Sequence, residues 1–286
     1  MAFISYAQNF EDVMLWRALK LFGPGRYIDV GANHPSQDSV TKAFYDRGWR
    51  GINIEPVEHY YAALCEARPD EINLCVAVAP QAGELTFYEN RDTGLSTLSE
   101  EMREIQQGFG IQFEPRIVET RRLDSICMEH MPEDAPFHFL KIDVEGFERE
   151  VLESMDFNRW RPWIIILESA FDKQPDWEDL LTAADYLYAY CDGINRYFVA
   201  KEQSKLLDPL SLVPCVLDEF QLCPGHRLSS PQEDTQILHQ AVAEAVERAE
   251  RAERQLATLQ ASRSWQIVRR FAELKHRLAR YLPARG

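Results

Sequence analysis

The chain has 286 residues, a formal net charge of −15 and an ordinary apolar fraction of 45%. That length suits one large globular domain with an appendage. The acidic balance argues against a general nucleic-acid binder, which needs a basic face to displace counterions. The charge is uneven, however. From Arg263 onward Arg269, Arg270, Lys275, Arg277, Arg280 and Arg285 stand against the single acid Glu273, so the tail is a basic module. No CxxC pair and no short-spaced His/Cys cluster marks a zinc site, and no metal is expected. Reduced, mostly buried thiols suit a cytoplasmic protein. Met1–Phe10 lacks the pattern of a signal peptide. The longest apolar run, near Trp163–Leu167, is far short of a membrane span.

Apolar spacing predicts a helix over Glu11–Leu21, stopped by Gly23-Pro24-Gly25. Strands are expected at Tyr27–Val30, Gly51–Ile54 and Ile72–Val78, with helices at Ser39–Arg47 and Val57–Arg68 between them. This alternation argues for a parallel sheet with right-handed crossovers. Glu84–Glu89 and Ile117–Arg121 read as strands, and the polar, glycine-punctuated stretch Asn90–Gly110 as a mobile loop. The rhythm resumes with a strand at Phe137–Ile142, a helix at Gly146–Met155, a strand at Trp163–Leu167 and a helix at Trp177–Ala184. Tyr186–Cys191 and Tyr197–Lys201 flank a short turn containing Asp-Gly and Asn, which reads as a hairpin. The expected domain therefore spans residues 1–228. Residues 229–286 form a helical extension, with a heptad-like segment over 236–260 and a basic amphipathic helix over 264–282. The heptad is a candidate for self-association. The basic helix is a candidate contact for a peripheral membrane surface or a glycosyltransferase.

Three constellations carry chemistry. Asp29-Val30-Gly31-Ala32-Asn33 follows a strand directly, where open α/β sheets bind ligands. Gly31 permits a tight turn and a close backbone approach, and Asp29 suits an ammonium group. The full GxGxxG fingerprint is absent, which disfavours a pyrophosphate cradle and hence a nicotinamide-dependent oxidoreductase. Glu55, at the end of the second strand, can accept both hydroxyls of a ribose. In Leu140–Glu148, the charged residues Lys141, Asp143 and Glu145 alternate at a strand end, a crowding that shifts pKa values. Glu168 ends the next strand on the same sheet edge.

With these motifs in this order, the sequence resembles the FkbM family of S-adenosylmethionine-dependent methyltransferases. The resemblance rests on Ser5–Asp12, Tyr27–Asn33, Gly48–Pro56, Gly94–Leu98, Leu123–Ile126 and Leu140–Glu148. It implies a class I fold, with a mostly parallel seven-stranded sheet and an antiparallel C-terminal hairpin. It also implies S-adenosylmethionine as cofactor, held by Asp29, Gly31, Ala32, Asn33, Glu55, Pro56 and Ala77. The implied reaction is O-methylation of a sugar, glycan or related natural product. Asp143 or His34 is the candidate general base, with Lys141 and Glu145 in support. Glu11, Ser96, Thr97 and Glu168 are candidate acceptor contacts. A metal held by Asp143 and Glu168 is the less favoured route. The Gln8–Asp12 segment would close over the cofactor or acceptor, unless Asn9 and Asp12 merely cap a helix. A non-catalytic scaffold in a glycan-assembly complex is the principal rival.

Overall fold

The computed structural model describes residues 2–91, 93–169 and 175–229, together with positions 242, 243, 245, 246, 248, 251 and 258, all seven of them helical. Contacts divide the chain into a unit Met1–Arg227 and a unit Leu228–Gly286. Most of the heptad segment and all of the basic helix lie outside the described residues. No helix among the described residues is long and apolar enough to cross a membrane.

The first unit opens with β1 (Phe3–Ser5), α1 (Glu11–Leu19), β2 (Arg26–Val30), α2 (Lys42–Tyr45), β3 (Arg50–Ile54) and α3 (Glu58–Ala67). It continues through β4 (Ile72–Leu74), β5 (Ala77–Val78), β6 (Gly83–Glu89), α4 (Glu100–Gly108), β7 (Glu114–Arg121) and α5 (Leu123–His130). Then come β8 (Phe139–Ile142), α6 (Glu148–Glu153), β9 (Ile164–Glu168), α7 (Glu178–Ala183), β10 (Tyr186–Cys191), β11 (Asn195–Ala200), α8 (Leu207–Leu210) and β12 (Phe220–Leu222).

The large sheet has seven strands in the order β10-β11-β9-β8-β2-β3-β4. Its neighbours are parallel except β11, which runs against both β9 and β10. The expected parallel sheet with a terminal hairpin is therefore present. Both of its faces are buried, so its central strands are apolar in consecutive positions. Ile28, Val30, Leu140, Ile142, Ile165 and Leu167 fill one face. Tyr27, Phe139, Ile164, Ile166, Tyr197 and Val199 fill the other.

Several expectations need correction. The helix expected over Ser39–Arg47 shrinks to α2, because Asp38, at φ 53°, is bridged to Ala7 and the segment after it is held by a buried arginine. Arg68 donates to Ser39 Oγ at 2.7 Å and to Thr41 Oγ1 at 2.8 Å. The strand expected over Ile72–Val78 divides between two sheets: β4 edges the large one, and β5 joins β7 and β6 in a three-stranded sheet. The supposed mobile loop Asn90–Gly110 contains α4, whose N-cap Ser99 accepts from Met102 N and whose first turn carries Glu100 and Glu101. Helix α5 and the small parallel pair of β1 with β12 were not anticipated.

One register contact is unusually tight. Gly51 pairs with Tyr27 across β2 and β3, and a Cβ at Gly51 would lie 2.1 Å from the Tyr27 ring. Gly51→Ala is expected to cost about 1–3 kcal/mol through overpacking, measured by denaturant unfolding. An unchanged midpoint would show that the ring yields freely.

Candidate active site

The strand register assembles the site. Asp29 on β2 pairs in register with Lys141 on β8, so both side chains leave the sheet on one face. Lys141 is 8% exposed and has three oxygen partners. Its Nζ donates to the Gly31 carbonyl at 2.8 Å and lies 3.3 Å from Asp29 Oδ1 and 3.2 Å from Asp143 Oδ2. Burial opposes its charge, but Asp143 and then Asp29 outweigh that and raise its pKa. The same ammonium, working against burial, holds Asp143 below the usual carboxylate range. The Asp143 charge and then burial push Glu168, which hydrogen-bonds to it, upward. Burial, then Asp143, raises Glu145. The cluster thus keeps Asp143 ionised and its neighbours inclined to hold protons. One carboxylate oxygen from each of Asp143, Glu145 and Glu168 lies within 4.8 Å of the others, a spacing that could hold a metal ion. The sequence pattern did not anticipate that three-fold convergence.

Strand ends β2, β3 and β8 open into a cavity of about 600 Å³. Asp29 is 1% exposed; its Oδ2 accepts from Thr41 Oγ1 at 2.8 Å, while its Oδ1 has no hydrogen-bond donor beyond the loose ion pair to Lys141. Gly31 has φ +75°, and a Cβ there would lie 1.8 Å from the Asp143 carbonyl oxygen. Only glycine permits that approach of two loops. Glu55 braces the loop as well as facing the cavity: its Oε2 accepts from Asn33 N and its Oε1 from Val57 N, each at 2.8 Å. Burial lifts its carboxyl to about 7. Val57, Val76, Ala77, Val78 and Phe87 form an apolar stretch of wall beside Tyr60.

A family model described as the Methyltransferase FkbM domain matches residues 29–192. The chain belongs to the FkbM methyltransferase family. No curated protein matches it. Among solved structures it is similar to an O-methyltransferase from Bacillus cereus in complex with SAH, at 14% identity and a TM-score of 0.35, covering 66% of this chain and 80% of that one. It is also similar to a precorrin-6y C5,15-methyltransferase from Geobacter metallireducens, at 14% identity and a TM-score of 0.34, covering 62% and 71%.

In this FkbM domain the cavity is lined by Asp29, Gly31, Ala32, Asn33, Glu55, Pro56 and Ala77, and by His34, Ser96, Lys141, Asp143, Glu145 and Glu168. Two expected acceptor contacts are not among the lining residues. Thr97 is fully buried, and its hydroxyl donates to the Glu145 carbonyl at 2.7 Å. Glu11 is buried beside the start of β11, where it accepts from Asn9 N and Asn195 Nδ2, each at 2.8 Å; Asn195 pairs in register with Glu168, yet Glu11 itself is turned into that contact and not into the cavity.

His34 reaches the cavity but is poorly set up as a base. Its Nδ1 accepts from Gln37 N at 2.9 Å and Ser36 N at 3.2 Å. The lone pair that would take a proton is thereby occupied, and Nε2 carries the hydrogen. Burial, then Arg68, lowers its pKa further. Nor is Asn9 a cap: Phe10 holds that position at φ 65°, and Asp12 turns back to accept from Ser5 Oγ and Tyr6 N, each at 2.7 Å. Of the Gln8–Asp12 segment, Gln8 alone lines the cavity. Two arginines outside the sequence motifs also shape the site. Arg68 is a buried cation after α3 that pins the loop behind His34, and Arg227 lines the cavity rim, paired with Asp38 at 2.5 Å. No local pattern marks either one.

Two outcomes follow from these contacts. Lys141→Met leaves Asp29 and Asp143 without their shared cation and is expected to destabilise the domain by about 3–5 kcal/mol, read from thermal and denaturant melts. Burial also raises the Glu11 carboxyl to about 7 and that of Asp12 to about 6. The folded state then binds these protons more tightly than the unfolded chain does. Their contribution is complete below the ordinary carboxylate range and is lost as pH rises through about 7. Protection factors across Phe3–Asp12, corrected for intrinsic exchange, should fall between about pH 5 and pH 8. Constant protection would refute this.

Proposed function

We propose that this FkbM methyltransferase is S-adenosylmethionine-dependent and methylates a hydroxyl of a sugar, glycan or related natural product. The observation that carries the reading is the joining, in one cavity, of Asp29, Gly31 and Glu55 with the Lys141–Asp143–Glu168 cluster. The cofactor fits the residues present. The buried Asp29 carboxylate on the cavity wall suits an ammonium, Glu55 suits ribose hydroxyls, and the Val76–Val78 wall suits a flat ring. Bound S-adenosylmethionine supplies a methyl group already activated on its sulfonium. The protein therefore has to orient the acceptor, exclude water and remove one proton.

Asp143 is the proposed proton acceptor. Lys141 keeps it ionised at rest, and Glu168 holds it in place by a hydrogen bond. As the acceptor oxygen gains the methyl group its hydroxyl becomes strongly acidic, so a carboxylate of low basicity suffices. The proton moves to Asp143 while Lys141 remains charged. Glu145 and Glu168, inclined to hold protons, offer hydrogen bonds to the acceptor. Gln8, Gln37, Ser39, Thr93, Ser96 and Arg227 on the cavity wall suit a polyhydroxylated molecule. Cytoplasmic location, tail contacts with a membrane or glycosyltransferase, and self-association through residues 236–260 are proposed from composition and spacing alone.

Transfer of label from S-adenosyl[methyl-³H]methionine to a panel of sugars and lipid-linked glycans tests the reading. Asp143→Asn should lower turnover by about 100-fold or more while S-adenosylhomocysteine affinity holds, and His34→Gln should stay within a few-fold of wild type. Tight homologue binding without turnover on any acceptor would favour the scaffold. The carboxylate spacing supports a second reading, in which a divalent cation polarises the hydroxyl. Loss of turnover in chelator, restored by Mg²⁺ or Mn²⁺, would select it.

A further inference from the structure

Glu145 stands in an expensive conformation. Its φ is 54°, and Gly146 follows at φ 88°, so two consecutive residues occupy the left-handed region. A side chain makes that region unfavourable, so surrounding structure must impose it. Glu148 braces the turn from its C-terminal side, where its carboxylate accepts from Gly146 N at 3.0 Å.

The other braces come from Asn90–Gly110, a segment inserted between β6 and β7. Thr97 Oγ1 donates to the Glu145 carbonyl at 2.7 Å and accepts from Ser99 N at 2.8 Å, so both its hydrogen and a lone pair are used. Its backbone is fixed in turn: Tyr88 N donates to Thr97 O at 2.9 Å, and Thr97 N to Tyr88 O at 3.1 Å. Gln106, on α4, donates through Nε2 to Glu145 Oε2 at 3.2 Å. Thr97 is 0% exposed and Gln106 8%. Neither is among the cavity-lining residues, whereas Glu145, whose carbonyl and carboxylate they bind, is one of them. α4 also lies close over the turn: a Cβ on Gly146 would sit 3.0 Å from Met102 Cε.

We propose that Thr97 and Gln106 are positioning residues for Glu145. Thr97 holds the left-handed backbone, and Gln106 aims the carboxylate into the acceptor end of the cavity. This rests on the reading of Asp143, Glu145 and Glu168 as that end. Removing the Thr97 hydroxyl leaves the Glu145 carbonyl without its donor and lets the turn relax toward ordinary backbone angles. Removing the Gln106 amide frees the carboxylate to swing away while the backbone stays.

The test uses the full chain carrying Thr97→Val, Thr97→Ser and Gln106→Ala. With the best acceptor from the sugar panel, Thr97→Val and Gln106→Ala should lower kcat by about 10-fold or more, with S-adenosylhomocysteine affinity unchanged. Thr97→Ser keeps the hydroxyl and should restore most of the loss. Amide exchange across Val144–Glu148 should accelerate in Thr97→Val and not in Thr97→Ser. Wild-type kcat in both disruptive variants would overturn the proposal. So would a loss of homologue affinity or melting temperature that Thr97→Ser fails to rescue, because that marks a purely structural role. If the wild-type enzyme turns over no acceptor at all, the proposed function fails, and the exchange comparison alone decides this inference: equal exchange in the two Thr97 variants overturns it.

Discussion

The site depends on one buried ammonium. Lys141 sits in the middle of a parallel sheet, on a face otherwise filled by Tyr27, Phe139 and Ile166, where a lone charge would be prohibitive. It is tolerated because the parallel register places Asp29 beside it and because Asp143 and the Gly31 carbonyl meet it at the strand ends. The same contacts bring the loop after β2 against the loop after β8. That closeness is why position 31 accepts only glycine. One cation thereby couples the loop after β2 to the carboxylate that follows β8.

Around that pair runs a longer polar chain. Arg68 reaches Thr41, Thr41 reaches Asp29, Asp29 meets Lys141, and Lys141 meets Asp143. Asn53 extends the row on β3, in register with Asp29, and binds Glu71. Separating the partners of such a buried network leaves an uncompensated charge, which penalises packings that break it. The loop over residues 33–41 is irregular and yet well determined for that reason. The Pro35 carbonyl and the Ser39 and Thr41 hydroxyls all accept from Arg68.

The inserted segment between β6 and β7 contributes differently. The segment, with α4, and the three-stranded sheet that carries it add no strand to the central β2–β3–β8 platform. They line the cavity through Phe87, Thr93, Ser96 and Leu98 and bind the turn after Asp143 through Thr97 and Gln106. Polar composition and glycines made this stretch look loose in the sequence. Its order comes from Ser99 capping α4, a contact within four residues, and from the pairing of Tyr88 with Thr97 across the base of the segment.

Local sequence determined what depends on neighbours in the chain. Short apolar runs set the strands, Gly31 set the tight turn, and Asp29, Glu55 and the Lys141–Glu145 run marked the binding edge, because strand ends put such residues on one side of the sheet. Order along the chain was enough for the family. Tertiary structure alone decided which of the candidates act together. His34 and Asp143 looked equally suited to accept a proton until the backbone N–H groups of Ser36 and Gln37 were seen to occupy Nδ1, and Lys141 to hold Asp143 ionised. Thr97 and Glu11 looked like acceptor contacts, since composition does not reveal which way a side chain turns. Arg68 was invisible as an organiser because its partners at Pro35, Ser39 and Thr41 come from another loop, and only the fold brings them to it.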